Sequence, residues 1–132
     1  MKKVLIIILF FAQNCMHAYS IEPDVFIQST VNRASQILAE NISKDEKMHG
    51  LKIIAKETVD INGIGLYSLG SARKDLNDSD KKTYFNLFED YFLKSFSSRL
   101  SEYTNPKIEV QNKKVINTNY TIVNTVLVST LD

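Results

Sequence analysis

The sequence predicts an α+β fold, with N-terminal helices packed on a curved, mainly antiparallel sheet that is incomplete at the C-terminus. Three observations lead there. Apolar residues recur every three or four positions as far as Tyr103, the period of an amphipathic helix. After Pro106 the period falls to two and β-branched residues dominate, which marks strands. The sequence reaches Asp132 just as a sheet has begun, and a lone two-stranded hairpin is marginal in water, so helices are expected to cover it. An uncovered apolar edge there would invite pairing with another chain.

The elements follow in order. Lys2 and Lys3 precede an unbroken apolar run from Val4 to Ala12, and a more polar tail ends in Ala18-Tyr19-Ser20. That tripartite pattern predicts a cleavable signal peptide over residues 1–20, with the cut after Ser20 and export from the cytoplasm. The apolar run is too short for a membrane-spanning helix. Cys15 lacks the small preceding residue that lipid attachment would need, since Asn14 stands there.

Residues 21–132 are expected to form a single domain. Pro23 suits a first helical turn, and Ile27, Val31, Ala34 and Leu38 give one apolar face of a helix ending near Asn41. Ser43 and Glu46 form a capping-box pattern opening a second helix, with Met48, Leu51, Ile54 and Ala55 on its apolar face. Gly50 lies inside that helix and weakens it. The segment from Asp60 to Gly70 reads as a turn or two of helix stopped by the glycine.

The longest helix is expected from Asp78 to about Tyr103, with Asn77 as N-cap and Asp78 and Asp80 favouring its positive end. Tyr84, Phe88, Phe92, Phe96, Leu100 and Tyr103 run along it, widened by Phe85, Leu87 and Tyr91. Thr104-Asn105-Pro106 ends it. A first strand over Lys107–Gln111, a turn at Asn112-Lys113-Lys114 and a longer strand over Tyr120–Thr130 complete the chain.

Composition removes several function classes. Beyond residue 20 there are 14 basic and 15 acidic side chains, a net charge of −1, so no nucleic-acid partner is expected. The sole cysteine lies within the expected signal peptide and His49 is the sole histidine after it. Cys/His zinc sites and Cys–His nucleophilic pairs are therefore excluded there, and neither a metal nor a cofactor is expected. No Gly-x-Ser-x-Gly elbow or phosphate-binding glycine loop occurs. Asp75 to Asp80 looks like a calcium loop at first sight, but Asp80 takes the place of the turn glycine and Asn86 that of the closing Glu, so helix capping fits better. No enzyme is expected. What remains is the aromatic stripe, which periodicity alone allows to be either a core face against the sheet or the wall of an apolar ligand pocket.

The run from Asp60 to Tyr103 resembles the MlaC family, also called the toluene-tolerance family, of periplasmic phospholipid carriers. The resemblance rests on Asp60 with nine residues before Gly70, Leu69 preceding that glycine, and a polar capped turn. It continues with aromatics every four residues (Tyr84, Phe88, Phe92, Phe96), then Leu100, Tyr103 and the strand Lys107 to Val110. Phe26-Ile27, Val31-Asn32 and Ile37-Leu38 fit the family's first helix, and the signal peptide fits as well. Two positions depart from the pattern, Arg73 for a common Trp and Asp80 for a usual Gln, and the later strands and C-terminal helix have no counterpart here.

The resemblance implies a non-enzymatic carrier that moves phospholipid through the periplasm. Its implied partners are an inner-membrane ABC transporter complex with an MCE-type subunit and an outer-membrane lipoprotein complex. The expected lipid-binding residues, chosen by helix face and strand parity, are Leu66, Leu69, Phe85, Phe88, Phe92, Phe96 and Val126. The alternative expectation is a truncated or split family member that acts only as an interaction partner, or does not function alone.

Overall fold

A computed structural model describes residues 20–128. The expected signal peptide lies outside them except for Ser20. Four α-helices precede an antiparallel hairpin, so the chain is α+β, and its sheet has two strands among the described residues. The helices are α1 (Pro23–Ala39), α2 (Lys44–Thr58), α3 (Ile61–Leu69) and α4 (Asp78–Leu100). A 3-10 turn over Gly70–Lys74 joins α3 to α4, and the hairpin pairs β1 (Lys107–Asn117) with β2 (Tyr120–Val128).

Local chemistry sets the helix boundaries. Pro23 occupies the first turn of α1, where its missing N–H is no loss. The far end of α1 is satisfied from the next helix, because Lys47 Nζ donates to the Leu38 carbonyl at 2.8 Å. The capping box of α2 forms as the sequence predicts. Ser43 Oγ accepts from the Glu46 N–H at 3.2 Å, and Glu46 Oε2 accepts from the Ser43 N–H at 2.9 Å. The Ser43 hydroxyl, followed by the Ser43 N–H, holds the Glu46 carboxyl below its ordinary pKa. Asp60 caps α3 through Gly63 N–H at 2.9 Å, and Asn77 caps α4 through Asp80 N–H at 2.9 Å. Gly70 ends α3 with φ +53°, a conformation that costs glycine little.

Among the described residues the buried apolar ones are Leu38, Leu51, Ile54, Ala55, Ile61 and Leu93, all on helices. The core is thus a helix layer in which α2 packs between α1 and α4, with α3 against α4. Gly50 faces Ile37 of α1, and a Cβ there would lie 2.8 Å from Ile37 Cδ1, so a larger residue would displace the end of that side chain.

The hairpin lies against α1. Its register corrects the predicted turn: β1 runs straight through Asn112-Lys113-Lys114, and the reversal comes at Thr118-Asn119, between paired Asn117 and Tyr120. The polar trio has turn composition, but it falls at a bulge. Between Val110 and Lys113 the strand takes one more residue than its partner does between Val123 and Thr125. A second extra residue in β1 lies beside the turn, between Val115 and Asn117.

The first bulge switches side-chain parity. Before it, Ile108 and Val110 share the half-buried face; after it, Lys113 joins Val123 on that face. Lys113 Nζ there reaches Glu22 Oε2 at 2.6 Å and Asp24 Oδ1 at 2.7 Å at the start of α1. The paired Lys113 ammonium holds the Asp24 carboxyl below its ordinary pKa, and Asp24, then Glu22, raise that of Lys113.

Candidate functional site

The aromatic stripe of α4 does not form the centre of the core. That line belongs to Leu93 and Ser97, both buried, four residues apart. Phe88, Phe92 and Phe96 pack half-buried beside the cluster of Ala55, Ile61 and Leu93. Their spacing of four exceeds the helical repeat of 3.6, so each step rotates the row by about 40° around the axis. One row cannot face one partner throughout. Leu87 and Tyr91, which the sequence placed on the same apolar stripe, are 65% and 71% exposed.

The Tyr84 end of the row is covered by α3. Tyr84 donates its hydroxyl to the Gly65 carbonyl at 3.0 Å. Gly65 is buried, and a Cβ on it would stand 3.0 Å from Phe88 Cδ1 and 3.4 Å from Phe85 Cδ1. The absence of a side chain is what lets α3 settle on the two rings. Tyr84, Phe88, Phe92 and Phe96 then stack in sequence, with ring centroids 5.7, 6.3 and 5.7 Å apart and interplanar angles of 30°, 25° and 11°.

Past α3 the row is open. Phe88, Phe92, Phe96 and Leu100 form one ridge, Tyr91, Ser95 and Arg99 the next, and a groove of about 330 Å³ runs between them. Adjacent ridges of this kind are the ordinary relief of a helix. The small side chain of Ser95 deepens this one. The groove contains no carboxylate, and Arg99 is its one cationic group.

Other concavities differ in character. One of about 320 Å³ between α1 and α2 is lined in part by Arg33, Gln36 and Glu40. A larger one, about 440 Å³, lies where Tyr120 approaches α3 and includes Asp60, which is already engaged as a helix cap.

The seven expected lipid-binding residues divide accordingly. Phe88, Phe92 and Phe96 line the α4 groove. Phe85 lies beside Phe88 against Gly65. Leu66 and Leu69 are on α3, Leu66 being 42% exposed, and neither lines the groove. Val126, 41% exposed, pairs with Glu109 on the hairpin face turned away from Ile108 and Val110, and does not line the groove. Sequence reasoning left Ser95 and Arg99 out of the site. Their signal was present as the second row of four-residue spacing, Tyr91-Ser95-Arg99, but a row with one aromatic and two polar members does not read as apolar.

Residues 28–131 match the family model described as MlaC protein. No match was found among curated proteins or among solved structures.

Proposed function

From the chain's membership of the MlaC family, we propose that it is a periplasmic phospholipid carrier, the soluble component of an Mla-type ABC transport system. In that role it receives and delivers lipid at an inner-membrane MCE/ABC transporter complex and an outer-membrane lipoprotein complex. The observation that carries the reading is the α4 groove, walled by Phe88, Phe92, Phe96 and Leu100 and free of carboxylates. Each CH₂ sheltered from water contributes about 0.8 kcal/mol, so an apolar slot suffices for a carrier, with no covalent chemistry. Phe85, Leu66, Leu69 and Val126 complete the proposed lipid-contacting set. The test is native mass spectrometry with lipid extraction on the full chain expressed in a Gram-negative host and recovered from its periplasm. Co-purifying phospholipid is expected; an empty protein that takes up none from vesicles would overturn the reading.

A second reading, an interaction partner with no cargo of its own, is favoured by the hairpin. None of its described residues is buried, and Val115, Ile116, Tyr120, Ile122, Val126 and Leu127 are all exposed. Apolar surface of that kind marks a contact surface. The same experiment separates the two, because a protein partner would co-purify in place of lipid.

A further inference from the structure

We propose that β2 is a self-pairing edge: two copies of this chain join β2 to β2 in antiparallel fashion about a two-fold axis at Asn124, merging their two-stranded sheets into one. The inference concerns assembly and stands whether or not the chain carries lipid.

The strand is its own complement. Among the described residues β2 has one neighbour, β1, so alternate backbone N–H and C=O groups of β2 point to an open side. With Asn124 opposite Asn124 of the second copy, all nine residues of β2 find a partner. On the face that carries Tyr120, Ile122 and Val126, all exposed, Ile122 of each copy meets Val126 of the other and Tyr120 meets Val128. On the opposite face Thr121 meets Leu127 and Val123 meets Thr125. Apolar and β-branched pairs of this kind stabilise a sheet. The register keeps parity, so outward backbone groups meet outward groups. A slip of one residue would set the two faces against each other. β2 carries no charged side chain, so like charges meet nowhere along the seam, and nothing on the strand selects a charged foreign segment over a second copy.

The helices leave room for the second copy. α1 packs more on β1 than on β2, so it lies toward the side of the hairpin away from the seam. At its Tyr120 end β2 approaches α3, which makes the seam firmest over residues 122–126. A seam one strand wide is small beside the roughly 1,200–2,000 Å² of a stable interface. The dimer is therefore expected to dissociate on dilution through the micromolar range.

Sedimentation velocity on the full chain recovered from the periplasm, from low to high micromolar concentration, provides the test. A reversible monomer–dimer equilibrium is expected. Asn124 is exposed, so Asn124→Lys and Asn124→Asp should leave the circular-dichroism spectrum unchanged. Each should weaken association about fivefold by setting like charges opposite each other at the axis. An equimolar mixture of the two variants should associate more tightly than either alone, because a lysine then meets an aspartate. A monomer at every concentration, a dimer indifferent to both substitutions, or a mixture no tighter than its components would overturn the proposal. So would a different protein held in place of the second copy and released by Asn124→Lys. None of these results bears on the carrier reading, which lipid extraction tests separately.

Discussion

At Gly65 the fold depends on one missing methyl group. The Cβ of an alanine would stand 3.0 Å from Phe88 Cδ1 and 3.3 Å from Phe88 Cγ, on a ring that stacks on both sides with Tyr84 and Phe92 and cannot turn aside freely. Gly65→Ala is expected to destabilise by about 1–3 kcal/mol, the usual cost of overpacking, despite the higher helix propensity of alanine. Urea denaturation measures this, and a stabilised variant would mean that α3 does not rest on the rings. In the sequence Gly65 is one of two glycines between Asp60 and Gly70, and nothing beside it in the chain sets it apart from Gly63. Its role belongs to a residue twenty-three positions away, and periodicity carries no such information. The caps were legible for the opposite reason. Ser43 and Asn77, the two the sequence predicts, each bond to a backbone N–H three residues on, so the partners are written beside each other in the chain.

Among the elements, the helices were the most legible and the hairpin the least. The α2 face was read correctly, since Leu51, Ile54 and Ala55 are the residues it buries. In α4 the aromatics drew attention away from Leu93 and Ser97, because size stands out in a sequence and helical phase does not. In β1 the polar run Asn112-Lys113-Lys114 has the composition of a turn but lies at a bulge, because register depends on pairing with β2. The clamp at Lys113 follows from that bulge and gives a pH signature. The Asp24 carboxyl lies below its ordinary value of 3.8, so its contribution is present above that value and is lost as pH falls through the depressed one. Lys113 lies above its ordinary 10.5, so its contribution is complete below 10.5 and is lost as pH rises through the raised value. Seating of the hairpin should be constant between those limits and loosen outside both. Backbone amide NMR shifts of Val123, the strand partner of residue 113, through an acid titration should report the loss below 3.8, and Lys113→Gln should remove the transition. An unchanged titration in that variant would mean that the contact to α1 rests on packing alone.

Over the whole molecule, stability is unevenly distributed. Among the described residues every buried apolar one is helical, while the hairpin, which packs on α1, has nothing more enclosed than half-buried side chains such as Ile108, Val110, Thr121 and Val123, and one exposed ion cluster. Regions with few buried contacts open first. Amides of β1 and β2 should therefore exchange with solvent in a separate, faster group than those of α2 and α4, as hydrogen-exchange mass spectrometry would record. A single cooperative group would show that hairpin and helices unfold together. The α+β class was readable because both periods are strong in the sequence. The placement of the hairpin on α1, and of the stripe outside the core line, was not, since both are decided between elements rather than within them.

The two extra residues of the hairpin both fall in β1, and so do all its charges: Lys107, Glu109, Lys113 and Lys114. Its partner from Tyr120 to Val128 is regular and carries none. Bulges and charges are the devices that stop a strand from accepting a neighbour. The two open sides of the sheet are thus unequal, and a strand that extended it would meet fewer obstacles along β2 than along β1.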